Sequence, residues 1–104
     1  PLIKFQSIQS KLVNMAVDIE AGRLLCYKTA LSRNKNRPYT REAAMAKLFT
    51  SEMAIKAANE GVQIHGGLGL MDDAPISRFY RDAKFLTIGE GTSEILNMVI
   101  ARRL

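Results

Sequence analysis

Apolar side chains recur at steps of three and four along the first third of the chain: Leu2, Phe5, Ile8, Leu12, Met15, Ala16, Ile19, then Cys26 and Ala30. That spacing keeps one face of an α-helix apolar and predicts a single long helix from Leu2 to about Ser32. Leu24, Leu25 and Leu31 widen the stripe, so this helix is expected to pack on more than one side. Gly22 is its weak point. A glycine there costs about 1 kcal/mol against alanine unless a neighbour packs against it.

Arg33 through Tyr39 is a polar connection closed by Pro38, whose ring disfavours helix at the residue before it. Thr40 is placed to cap a second helix running to about His65. Its apolar face is built from small residues, Ala43, Ala44, Ala46, Ala54, Ala57 and Ala58. Small side chains let helix axes approach, as a central helix requires. Gly66 and Gly67 end it, and the stretch from Gly66 to Pro75 reads as loop. A short helix follows from Ile76 to about Phe85, with Phe79 and Tyr80 on its apolar side and Asp72 and Asp73 as its caps. Thr87 to Gly91 is a tight loop, and a last helix runs from Thr92 to the chain end.

No stretch alternates with period two, and no internal repeat occurs. The expectation is an all-α single domain over residues 1–104, an antiparallel four-helix bundle with three long helices and one short. The sequence lacks an initial Met, and the amphipathic pattern is already running at Leu2, which predicts a cut through a longer chain.

Composition narrows the class only slightly. The hydrophobic fraction of 47% and charged fraction of 24% are those of an ordinary globular domain. No apolar run approaches the roughly 20 residues of a membrane span. The single Cys26 excludes an internal disulfide framework, and a cytoplasmic setting (or the mitochondrial matrix in a eukaryote) is expected. The net charge of +5 raises the question of nucleic acid. Lys28, Arg33, Lys35, Arg37 and Arg41 crowd around one connection, where only Tyr39 could stack on a base. No nucleic-acid partner is expected. The lone His65 has no Cys, Asp or Glu at ligand spacing, so no metal site is expected. The five methionines read as core filler.

Two loops carry candidate chemistry. In Gln63-Ile64-His65-Gly66-Gly67-Leu68-Gly69, consecutive glycines let a bulky ligand approach the backbone, although a glycine pair after a helix also makes a plain C-cap. In Ile88-Gly89-Glu90-Gly91-Thr92-Ser93-Glu94-Ile95, a carboxylate stands between two glycines directly before a helix start. The glycines clear space around Glu90, and the helix start adds unpaired donors and partial positive charge. Taken alone, the loop reads first as a plain turn at Glu90 with Thr92 as an ordinary N-cap.

Both loops, in this order on one chain, together with Phe5-Gln6, Arg81-Asp82-Ala83-Lys84 and Val99-Ile100-Ala101-Arg102, resemble the acyl-CoA dehydrogenase family across essentially all 104 residues. The resemblance implies the C-terminal helical domain of an FAD-dependent enzyme. Such enzymes remove the α proton of an acyl-CoA thioester while the β hydrogen leaves as hydride to flavin, giving a trans-2-enoyl-CoA. Glu90 matches the catalytic base, and its backbone N–H, with Gly91, the substrate-binding position. A carboxylate in a dry acyl pocket is a stronger base than one in water. Gly91, Thr92, Ser93 and Glu94 match the stretch bordering the flavin. Gln63, Ile64, His65, Gly66 and Gly67 match the segment approaching the adenine-nucleotide part of FAD bound by a neighbouring subunit. Phe5 and Gln6 match another contact of that shared cofactor. Arg81 and Asp82 are expected to form ion pairs near the active-site loop.

The implied partners are acyl-CoA, electron-transfer flavoprotein as acceptor, and further copies of the chain in a tetramer or dimer. The chain by itself is expected to be inactive. An acyl-CoA oxidase fragment and a non-catalytic helical assembly module are the alternatives. Three departures from the family pattern bear on substrate preference. Gly89 stands where many members have Tyr. Ile88-Gly89 is similar to the branched-chain branch, yet isovaleryl-type members lack the glutamate present here. Leu96-Asn97 replaces a common Gln-Arg pair.

Overall fold

The computed structural model describes all 104 residues, Pro1–Leu104. Four α-helices account for the fold: α1 (Gln6–Asn34), α2 (Thr40–His65), α3 (Pro75–Phe85) and α4 (Ser93–Ala101). Short 3-10 turns occupy Leu2–Lys4 and Gly66–Leu70, and there is no strand. The all-α expectation therefore holds, but two helices are long and two short. α4 stops at Ala101 rather than running to the end.

The alanine-rich α2 is the centre, and α1, α3 and α4 each pack on it without packing on one another. The reason is the small-residue face: Ala44, Ala46, Ser51 and Ala58 are its buried positions. Early α1 meets late α2, which makes the pair antiparallel. Lys11 pairs with Glu60, Lys56 with Asp18 at 3.0 Å, and Gly22 lies under Thr50 and Met53. A Cβ on Gly22 would sit 3.1 Å from Thr50 Cγ2, so the helix weak point is a close-packing point. Gly61 does the same for α3, since a Cβ there would come within 2.6 Å of Ile76 Cδ1.

Several expected details change. The first segment is not one helix: Phe5 is extended at φ −83, ψ 126 and separates the 3-10 turn from α1. Leu2 and Phe5 are exposed, so the threefold apolar spacing that suggested a continuous helix does not place them on a packed face. Tyr39, not Thr40, occupies the N-cap of α2 and makes no side-chain cap bond. The helix starts one residue early, and Glu42 supplies the favourable negative charge in its first turn. Asp72 and Asp73 do not cap α3. Its N-cap is Ala74, followed by Pro75, whose missing N–H is no loss at that position. Phe79 and Tyr80 are exposed, while Ser77 and Ala83 form the buried face of α3. No methionine is buried.

Only 10 of 104 residues are buried, and no large side chain is fully enclosed. On α1, Val13, Val17, Leu24, Tyr27 and Leu31 are all more than half exposed. They follow helical spacing on the side away from α2, so the second packed face expected of α1 has no partner within the chain. The molecule is elongated, 48 Å in its longest dimension, and α2 spans much of that length. No helix is long and apolar enough to cross a membrane.

Candidate active site

The Glu90 loop begins where α3 ends. Thr87 is buried and anchors the turn, its hydroxyl donating to Lys84 O and its carbonyl accepting from Ser93 N–H at 3.1 Å. Glu90 then takes φ 58 and Gly91 φ 102. A positive φ suits glycine but costs an L side chain roughly 1–2 kcal/mol. Strain of this kind persists where the surroundings over-determine the backbone. Here the surroundings include Lys47, whose ammonium donates to Leu86 O, Gly89 O and Gly91 O at 2.7, 2.9 and 2.7 Å. The ring of Phe85 lies over Gly89, in the space a Cβ at that position would need.

Past the turn, Thr92 is a working N-cap: its hydroxyl accepts from Ile95 N–H at 3.3 Å. Ser93 donates its hydroxyl to Glu52 on α2 at 2.6 Å, tying the start of α4 to the central helix. Glu94 lies in the first turn of α4, where its charge complements the helix N-terminus. The Glu90 side chain is exposed, and its N–H donates to no backbone carbonyl of the chain.

The other predicted residues gather at the opposite end of α2. His65 is the last helical residue, and its Nδ1 lies 2.8 Å from Gly61 O. Gly66 ends the helix at φ 62, ψ −146, a conformation reserved almost wholly for glycine. Space where side chains would sit on Gly66 and Gly67 is open for 4 Å. Gly69 is different: it is buried, and a Cβ would meet Val62 O at 2.9 Å. The stretch expected as loop is thus a 3-10 turn folded back on the end of α2. Phe5 and Gln6 stand at the same end, because Lys11, just beyond them, pairs with Glu60, just short of His65. Both are exposed.

The predicted residues therefore fall into two groups. Glu90, Gly91, Thr92, Ser93 and Glu94 belong to the loop and helix start that Lys47 holds through Gly89 O and Gly91 O. Phe5, Gln6, Gln63, Ile64, His65, Gly66 and Gly67 lie at the C-terminal end of the same helix. Lys47 and His65 are separated by about 27 Å along α2 at 1.5 Å per residue. Arg81 bonds Ser77 Oγ at 2.8 Å and Asp72 at 3.4 Å, and Asp82 makes no ion pair. Of the two ion pairs expected, Arg81 makes one, with Asp72 ahead of α3, and Asp82 makes none.

Lys47 is the residue that pattern reading missed. The signal was available: Ala44, Ser51 and Ala58 recur every seven residues on the buried face of α2, and Lys47 is three after the first and four before the second. A lysine on a buried face must find acceptors.

The family model described as acyl-CoA dehydrogenase, C-terminal domain, matches residues 1–104. The chain belongs to the acyl-CoA dehydrogenase family. It is 53% identical over its full length to a Bacillus subtilis protein named Probable acyl-CoA dehydrogenase YngJ, of which it covers 27%. Butyryl-CoA dehydrogenase from Megasphaera elsdenii superposes with a TM-score of 0.96 at 45% identity, over 99% of this chain and 27% of that one. A structure described as the FAD complex of PigA superposes at 0.93, with 26% identity over 97% of this chain and 26% of that one. The chain thus spans about a quarter of the length of these family members.

Proposed function

We propose that this chain supplies the catalytic base and part of the cofactor surface of an FAD-dependent acyl-CoA dehydrogenase, which converts an acyl-CoA thioester to the trans-2-enoyl-CoA. The observation that carries this reading is Glu90. It is a non-glycine residue held at φ 58 by an anchored loop, with its N–H not used by any backbone carbonyl of the chain. In this role the Glu90 carboxylate takes the α proton. Its N–H donates to the thioester carbonyl and stabilises the negative charge that develops there. The acyl chain and neighbouring structure that close over Glu90 would exclude water and strengthen it as a base.

FAD, when bound, would supply the hydride acceptor for the β hydrogen. The residues fit such a group: Gly66 and Gly67 present bare backbone with open space above it, as the approach of a large cofactor needs. Gly91, Thr92, Ser93 and Glu94 would border the flavin. Gln63 to Gly67, with Phe5 and Gln6, would meet the adenine-nucleotide part of a cofactor held by a neighbouring subunit. The two groups lie at opposite ends of α2, which supports service to two cofactors and hence a homo-oligomer, tetramer or dimer. The unpartnered apolar face of α1 supports contacts of the same kind. Electron-transfer flavoprotein is the proposed acceptor, and the chain alone is proposed to be inactive.

The test is Glu90→Gln in the full-length protein, with flavin reduction followed after mixing with acyl-CoA. Loss of a general base should slow reduction by roughly 10²–10⁴-fold. FAD content should stay at the parent level. Reduction at the parental rate would remove Glu90 from the chemistry.

A further inference from the structure

The three carbonyls that Lys47 holds, Leu86 O, Gly89 O and Gly91 O, accept no backbone N–H. An ammonium has three N–H donors, and here each is directed to one of these otherwise unpartnered oxygens. The side chain arises on α2 and crosses to a turn 39 to 44 residues later. It is half-buried, so the contact is part of the packing and not a surface coincidence. Two of the three carbonyls are those immediately before and after Glu90.

Peptide planarity gives this arrangement a chemical consequence. Gly89 C=O and Glu90 N–H belong to one peptide unit, with carbonyl and N–H pointing in opposite directions. A cation bonded to that oxygen fixes the plane and draws electron density toward the carbonyl, which makes the N–H at its other end a better donor. The bond to Gly91 O fixes the next peptide but one. Between them, the two bonds set the direction in which the Glu90 Cβ leaves the backbone and keep its φ at 58.

We infer that Lys47 is a positioning residue for the reaction: it aims the Glu90 carboxylate and polarises the Glu90 N–H that receives the substrate carbonyl. This rests on the reading of Glu90 as the base. Lys47 itself touches no substrate, and all its donors are engaged inside the chain.

The experiment uses the full-length, FAD-loaded enzyme with Lys47→Met, which keeps length and removes the donors. Two quantities are read: the rate of flavin reduction, and the carbonyl stretch of a bound acyl-CoA labelled with 13C at the thioester carbon. Reduction should slow by roughly ten- to hundredfold, with acyl-CoA affinity much less changed. The stretch, moved to low frequency by the N–H in the parent, should move back toward its value in water. Lys47→Gln, neutral and too short to reach all three oxygens, should fall between the two and serves if the methionine variant does not hold FAD. A folded variant with the parental rate and the parental carbonyl frequency overturns the inference. Glu90→Gln separates the two readings, because it keeps the backbone N–H. If Glu90→Gln reduces flavin normally, the base assignment fails, while the carbonyl frequency in Lys47→Met still decides whether Lys47 polarises that peptide.

Discussion

The two glycine-rich turns of this chain put nearly the same backbone angle to different uses. Gly66 sits at φ 62 and Glu90 at φ 58. At the first, glycine removes the strain, and the turn is held by Gly69 folding against Val62 and His65. At the second, a glutamate accepts the strain, and the turn is held from outside by Lys47, Ser93 and the buried Thr87. A chain that ends a helix has no reason to keep a strained carboxylate when glycine is available one position to either side. On the proposed reading, the glutamate marks where a side chain is required, and the glycine where its absence is.

This contrast can be broken most directly at Gly69. A methyl group there would meet backbone, Val62 O at 2.9 Å and Val62 Cα at 3.1 Å, together with His65 Cβ at 3.0 Å. Backbone cannot rotate aside as a side chain can. Gly69→Ala is expected to destabilise the full-length protein by about 3 kcal/mol, the upper part of the range for overpacking, measured by chemical denaturation against the parent. A loss below about 1 kcal/mol would mean that the turn is not held by this contact. Gly66→Ala should follow with a smaller loss of about 2 kcal/mol, from conformation alone, since no atom obstructs the methyl group. An unchanged midpoint would show that the backbone relaxes out of the glycine-only region and would erase the distinction from Glu90.

Which of these features could be read from the sequence follows from how local each one is. The end of α2 at Gly66 and the start of α4 at Thr92 were legible, because a glycine stop and a threonine cap act through their own neighbours. The small-residue face of α2 was legible too, and with it the helix that everything else packs on. The break at Phe5 was hidden, because a 3-10 turn and an α-helix share the same apolar steps over so few residues. Asp72 and Asp73 looked like caps by type, yet the chain bends so that Ala74 takes that position. Phe79 and Tyr80 looked like core by hydropathy, but the partner surface they would need is not within the chain. For the site, the sequence singled out both loops, but not that they stand at opposite ends of α2. Spacing along a sequence says nothing about which end of a helix a later loop returns to. Lys47 bonds across 42 residues to Gly89, and no local pattern encodes such a reach.

The mildest prediction concerns Gly67, and it tests whether the open turn faces a ligand at all. A Cβ on Gly67 would meet nothing within 4 Å, and its φ is not in the left-handed region. Gly67→Ala should thus leave the stability of the protein within about 0.5 kcal/mol of the parent. If the bare backbone exists to admit the adenine-nucleotide part of FAD, the same methyl group should weaken FAD retention by roughly tenfold, the effect of forcing one methyl into a packed contact. Flavin fluorescence released on dilution measures this. Parental FAD affinity in Gly67→Ala would leave Gly67 as part of a helix stop and nothing more. A selective loss of affinity without loss of stability would separate the two glycine turns by function as cleanly as φ 62 on Gly66 and φ 58 on Glu90 separate them by residue type.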